Sequence, residues 1–230
     1  MPLFPHRQGK LFFVSYLIDE IYKKGAVPVV KINDPIIGAK LSEGNNEGRI
    51  KVLKKIQENE VELFDSFIQI HYFMNDYDGK NIDNDMSKKL SKALFKSSDI
   101  RVNKRKWVLL NYPSMLDAYK AGMTTREFNE YAMDVMTVDY GKMSEIIKPL
   151  KKLMDKADKV RIVAPGTDIT FSIKGMGSIP CVGQSNIPDG ELYSAPIKNS
   201  VNGKITYNTP SPYKGLVFNN VSLEFKDGKI

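Results

Sequence analysis

The feature that most constrains this chain is a change of pattern near residue 158. Before it, helical stripes alternate with short runs rich in β-branched and aromatic residues. After it, strand-like runs follow one another directly, parted by Gly-, Pro- and Asn-rich turns. Val160–Val163, Asp168–Lys174, Gly190–Tyr193, Val201–Tyr207 and Leu216–Phe225 all read as strands. Within Asp168–Lys174, the alternation places Ile169, Phe171 and Ile173 on one face. The first pattern argues for a parallel sheet covered by helices, the second for a β-rich layer with no helix of its own. The expected fold class is therefore α/β in two parts: a parallel-sheet α/β N-terminal domain over residues 1–158 and the β-rich start of a second domain over 159–230.

Taken in order, Val14, Leu17, Ile18 and Ile21 form an amphipathic stripe that Lys23-Lys24-Gly25 closes in the usual helix-ending way. Ala26–Ile32 then reads as a strand buried on both faces. Helix, glycine and buried strand make half of a βαβ unit. Residues 1–10 hold two prolines and no strand pattern, so the chain reads as beginning inside a fold. Asn33-Asp34-Pro35 breaks the strand, and Gly38–Gly48 reads as loop. Ile50, Leu53 and Ile56 suggest a short helix, Phe67–Phe73 a strand, and Asn75–Asn84 a polar loop. A basic helix over Met86–Lys96, a strand over Trp107–Pro113 and a short helix over Asp117–Gly122 follow. Thr124 and Glu127 have capping-box spacing, so another helix starts there. Met143 to Ala157 keeps helical phase, but Pro149 removes a backbone donor and predicts a break near Lys148. Lys226–Ile230 reads as a turn heading into a further strand.

Composition narrows the classes. A chain of 230 residues with 42% hydrophobic content can bury a sizeable core and is no disordered tail. The single cysteine, Cys181, cannot form an internal disulfide, which suits a reducing compartment. No apolar run reaches the ~20 residues of a membrane span, and the start lacks a secretion pattern. The chain therefore reads as soluble and cytoplasmic, with no membrane partner. Of the net charge of +7, nearly all lies between Lys80 and Lys106, where nine basic residues face three acidic ones. Met86, Leu90, Ala93 and Leu94 share a helix face and leave the lysines outward, so the patch reads as solvated surface and not as a nucleic-acid site. The alternative is a non-enzymatic binding module that uses the 88–106 patch to hold RNA or an acidic partner.

A search for chemistry finds little that is complete. The two histidines, His6 and His71, have no metal-ligand spacing and support no catalytic triad. Gly175-Met176-Gly177 is followed by Ile179-Pro180 instead of a glycine and a helix, so the dinucleotide fingerprint fails. Cys181 sits in an apolar context and reads as buried. Pro188-Asp189-Gly190 is strong turn chemistry, and Glu191 follows it directly at the mouth of a strand. Read alone, this is a surface hairpin with a solvated glutamate. A carboxylate so placed can also be aimed at a metal.

Three ordered blocks change that balance. Pro165-Gly166-Thr167-Asp168-Ile169-Thr170-Phe171, then Asn186-Ile187-Pro188-Asp189-Gly190-Glu191 through Ala195-Pro196, then Ser200-Val201-Asn202-Gly203-Lys204-Ile205 resemble the metalloaminopeptidase family of aminopeptidase T. The likeness extends to Val138-Asp139-Tyr140, Met143 and Pro149, and covers roughly residues 11 to 230. The resemblance implies a cytosolic, dimeric exopeptidase acting on peptide substrates through two divalent metal ions (Zn, Co or Mg). It assigns Glu191 to the metal cage and makes Asp189 a turn former. Asp168 either lines the site or bonds the Gly166-Thr167 turn. The family's other glutamate, two histidines and aspartate have no match here, so the catalytic set is incomplete. The expectation is a fragment that, alone, holds no metal pair and has no peptidase activity.

Overall fold

The computed structural model describes residues 6–72, 74–75, 83–213 and 216–230. It is a mixed α/β structure whose contacts divide it into two units, Met1–Asp134 and Val135–Ile230.

In the first unit, α1 (His6–Lys23) is followed by α2 (Pro35–Glu43), α3 (Glu47–Leu63), β1 (Ser66–His71), α4 (Asn84–Lys104), β2 (Lys106–Asn111), α5 (Met115–Lys120) and α6 (Thr125–Met136). β1 and β2 pair in parallel from Ser66↔Lys106 to His71↔Asn111, with α4 as the crossover. This is the expected parallel arrangement, and it needs a helix between its strands because a tight turn cannot reverse the chain twice. Ile50 and Val61 on α3, Ala118 on α5 and Ala132 on α6 are buried. α4 lies as its stripe foretells: Lys88, Lys89, Lys92 and Lys96 are exposed, while Met86, Leu90, Ala93 and Leu94 are half-buried. Arg101 donates to Gln69 on β1 at 3.1 Å and Arg105 to the Val61 carbonyl at 2.8 Å, so part of the basic charge is spent on holding α4 and its exit in place.

Two expectations fail here. Ala26–Ile32 forms no strand. A strand needs a neighbour to take its backbone groups, and none pairs with this run among the described residues. Gly38–Gly48 is not wholly loop, because α2 occupies Pro35–Glu43. Asp34 caps it, accepting from the Ile36 and Ile37 amides at 2.9 and 3.1 Å, and Pro35 sits in its first turn, where a missing N–H costs nothing. The helix suggested by Ile50, Leu53 and Ile56 is longer than its stripe, running to Leu63. The end of the strand expected over Phe67–Phe73 and most of the loop Asn75–Asn84 lie outside the described residues. The capping box forms: the Thr124 amide donates to Glu127 at 2.9 Å and the Glu127 amide to the Thr124 hydroxyl at 3.3 Å.

In the second unit the break at Pro149 is complete. α7 (Tyr140–Ile146) ends, and α8 (Lys148–Lys156) begins with Pro149 in its first turn. β3 (Lys159–Ala164), β4 (Thr167–Ser172), β5 (Ile179–Cys181), β6 (Asn186–Ile187), β7 (Glu191–Tyr193), β8 (Asn202–Thr206), β9 (Ser211–Tyr213), β10 (Leu216–Phe218) and β11 (Ser222–Phe225) follow. The run Leu216–Phe225 is thus two strands and not one. A four-stranded antiparallel sheet has the order β11-β8-β4-β3, and β5 pairs with β7 separately. Ile169 and Ile173 are buried as the alternation foretells, and Val182 and Val201 on later segments are buried too. The turn Lys226–Lys229 is closed by a bridge between its ends, and Asp227 and Gly228 both have positive φ, the primed-turn pattern that Asp-Gly favours.

The β-rich pattern starts at Lys159, where β3 begins, but the compact unit also takes in α7 and α8. One reason is a polar cluster between α8 and the segment entering β5, in which Ser178 is buried. The Ser178 amide and hydroxyl donate to Asp155 Oδ1 at 2.8 and 2.6 Å, and Lys151 donates to the Ser178 carbonyl at 2.7 Å. Hydrogen bonds from Lys151 and then Ser178 hold the Asp155 carboxyl below its ordinary value. A depressed carboxyl stabilises the fold above the unfolded pKa, and that contribution is lost as pH falls through the folded value. Acid unfolding of this unit is therefore expected to gain a component below about pH 4 that disappears in Asp155→Asn, as followed by circular dichroism across a pH series. Ser178→Ala removes the hydroxyl donor of a buried residue and is expected to cost about 1 kcal/mol in denaturant unfolding.

Candidate metal-ligand hairpin

Glu191 opens β7, and its position is set by the turn before it. Asp189 accepts from the Gly183 amide at 2.8 Å through one carboxylate oxygen and from the Gly190 amide at 3.1 Å through the other. The side chain of Asp189 thus ties both ends of the loop together, in keeping with its expected role as a turn former. The Ile187–Pro188 peptide bond is cis. Gly190 has φ of 143°, which a side chain would strain, and the Met143 thioether lies against it. Gly183 has φ of 85°, and a Cβ there would lie 2.7 Å from the Tyr140 ring. The α7 residues singled out in the sequence, Tyr140 and Met143, are therefore the floor under this loop. Asp139 caps α7 by accepting from the Lys142 amide at 2.8 Å, which fixes the turn of helix carrying them.

β7 runs antiparallel to β5, with Glu191 opposite Cys181, Leu192 opposite Pro180 and Tyr193 opposite Ile179. Glu191 is exposed, and its carboxylate makes no hydrogen bond or ion pair among the described residues. Cys181 is half-buried and free. Burial pushes its thiol above the ordinary value, and the charges of Asp189 and Glu191 add to the effect. A raised thiol is a poor nucleophile and a poor metal ligand at neutral pH, since both roles need the thiolate.

Asp168 makes no described hydrogen bond to the Gly166-Thr167 turn, and its carboxylate is paired elsewhere. Arg161 on β3 donates to both its carboxylate oxygens, at 2.8 and 2.7 Å, a bidentate cross-strand pair. Those hydrogen bonds hold the Asp168 carboxyl below the usual range. The partner could have been found from the hairpin: with a turn at Pro165-Gly166, Arg161 and Asp168 fall on one face of neighbouring strands. His71 lies on β1 and His6 in α1, both outside the unit that holds Glu191.

The fit to a pair of metal ions can be judged from these residues. Two divalent cations ~3.5–4 Å apart need several carboxylates and imidazoles around them. Among the described residues, no three His, Cys, Asp or Glu side chains are grouped to hold even one ion. Asp189 is consumed by its turn and Asp168 by Arg161. The described residues do not make a metal pair, and Glu191 stands among them as one unpartnered carboxylate on its hairpin.

A family model described as thermophilic metalloprotease (M29) matches residues 7–230. Aminopeptidase PepS from Streptococcus thermophilus is 32% identical over 76 residues, covering 29% of this chain and 18% of PepS. The solved structure of wild-type AmpT from Thermus thermophilus superposes with a TM-score of 0.69 at 15% identity, a likeness of fold that covers 94% of this chain and 62% of AmpT. The chain thus spans less than two thirds of the length of either relative.

Proposed function

The chain belongs to the thermophilic metalloprotease family, and from that premise we propose that the whole protein is a metal-dependent aminopeptidase that takes Glu191 as one metal ligand. Its substrates are then peptides, from which it removes N-terminal residues, and its cofactors are two divalent ions such as Zn, Co or Mg. The reading keeps a domain boundary near residue 158, with the catalytic part starting at β3, and a cytoplasmic homodimer as the working form. Among the described residues, no helix is long and apolar enough to cross a membrane.

The observation that carries the reading is the state of Glu191. Its hairpin is pinned by Asp189, Tyr140 and Met143, yet the carboxylate itself is exposed and engaged by nothing described. Rigid support under an unpaired charge is what a ligand to an absent cation requires, since a positioned donor loses less freedom on binding. No group of described residues supplies the remaining ligands, and on this reading the 230 residues alone hold no metal pair and show no turnover.

The test is release of N-terminal amino acids from short peptides, with Zn, Co or Mg added in turn. The assay is run on the 230-residue chain and on any longer product of the same reading frame. Metal-dependent release by the longer product and none by the 230 residues supports the proposal. A longer product that is folded and inactive with every metal overturns it.

A further inference from the structure

α8 is turned the opposite way from an ordinary surface helix. Its polar residues Lys151 and Asp155 face inward, where both bond the buried Ser178. Its apolar residues Leu150 and Leu153 face outward and are 50% and 68% exposed. Ile146, the last residue of α7, is 66% exposed, and Ile147 between the two helices keeps helical angles. The three apolar residues therefore fall at i, i+4 and i+7, the spacing of one ridge on a helix face. An amphipathic helix normally turns such a ridge into its own core, and a ridge left in solvent marks a surface for something else. The charges around it say what that is. α8 carries four lysines and one aspartate. Lys148 is paired with Glu145 and Lys151 with Asp155, which leaves Lys152 and Lys156 exposed and in no described ion pair.

We propose that α8 lies on an anionic lipid surface, with Ile146, Leu150 and Leu153 entering the boundary between headgroups and acyl chains and Lys152 and Lys156 held at the phosphates. A ridge of three side chains is small for a protein interface, which takes roughly 800 Å² from each partner. A fluid bilayer adapts to a convex ridge, and each lysine near an anionic leaflet adds its own attraction. Lysine stems are long enough to reach the headgroups from the flanks of a helix whose apolar side is buried. The expectation of no membrane partner rests on the lack of a spanning segment, and a helix lying in the surface spans nothing. α4 is the contrast within the same chain. It is also basic, but its stripe of Met86, Leu90, Ala93 and Leu94 faces inward, so its Lys92 and Lys96 serve as a control for charge alone.

The test is co-sedimentation of the 230-residue chain with vesicles of phosphatidylcholine alone or with about one quarter phosphatidylserine. The parent is expected to pellet with the anionic vesicles and to partition at least about tenfold less onto the neutral ones. Leu150→Gln with Leu153→Gln removes the ridge without changing the charge and is expected to lower partition about tenfold or more. Lys152→Gln with Lys156→Gln keeps the ridge and is expected to lower it about tenfold. Lys92→Gln with Lys96→Gln removes the same charge from α4, away from the contact, and is expected to leave it within about threefold. All six positions are exposed, so each variant is expected to fold as the parent does, checked by circular dichroism. A parent that stays in the supernatant with the anionic vesicles overturns the proposal and leaves the ridge to a protein partner. Leucine variants that pellet like the parent, or an α4 variant that loses as much as the α8 lysine variant, reduce the effect to general charge attraction and overturn it too. The proposal does not depend on the peptidase reading, and either can fail without the other.

Discussion

Gly203→Ala is expected to unfold the sheet of the second unit. Gly203 lies on β8 opposite Ile169 of β4, with φ of 113°. A Cβ added there would lie 2.2 Å from the Asp168 carbonyl oxygen and 2.9 Å from the Ile169 Cα. Those are backbone atoms of the neighbouring strand, so no side chain can move aside. Relief requires the β4–β8 pairing to open, and Ile169, buried beneath it, would lose its cover. Strain at a positive φ costs of order 1–3 kcal/mol alone, and the clash adds to it, so a loss of about 4 kcal/mol or more is expected. Urea unfolding followed by circular dichroism measures this. A loss under about 1 kcal/mol would mean that the strand pairing is not as described. Gly175→Ala is the control: its φ of 72° is also positive, but nothing lies within 4 Å of the added carbon, so it should show the backbone strain without the clash.

Glu191→Gln is expected to abolish metal-dependent peptidase activity in a product long enough to show it. The change keeps the shape of the side chain and removes its charge. Because Glu191 has no partner among the described residues, the fold has nothing to lose, and the melting temperature should be unchanged. Loss of groups that merely support a ligand costs about 10- to 100-fold, so loss of a ligand itself should cost at least ~100-fold in kcat/KM or metal affinity. Steady-state kinetics against metal concentration separates the two. Asp189→Asn is the contrasting variant. It weakens the bonds to the Gly183 and Gly190 amides, so it should lower stability and activity together. Full activity in Glu191→Gln would remove that residue from the metal site while leaving family membership untouched.

Much of this was legible in the residues because local chemistry decided it. The capping box at Thr124 and Glu127 concerns atoms within one helical turn. The break at Pro149 follows from a missing amide, and the alternation around Ile169 follows from strand geometry. The three blocks that carry the resemblance to the family are likewise local strings. Asp34-Pro35 held a readable helix start that the glycines after it obscured.

What the residues could not decide is who pairs with whom. Ala26–Ile32 has strand propensity, but propensity satisfies no backbone group, and only the three-dimensional arrangement shows that no partner comes. Asp168 has the chemistry of a ligand, but a guanidinium seven residues away in sequence takes it first. Tyr140 and Met143 lie more than forty residues before the glycines they support, a contact visible only once the hairpin folds back on α7. Local order is written residue by residue, since its interactions span a turn or less. Pairing, burial and the state of each charge depend on distances between segments remote in sequence, and only the folded chain sets those.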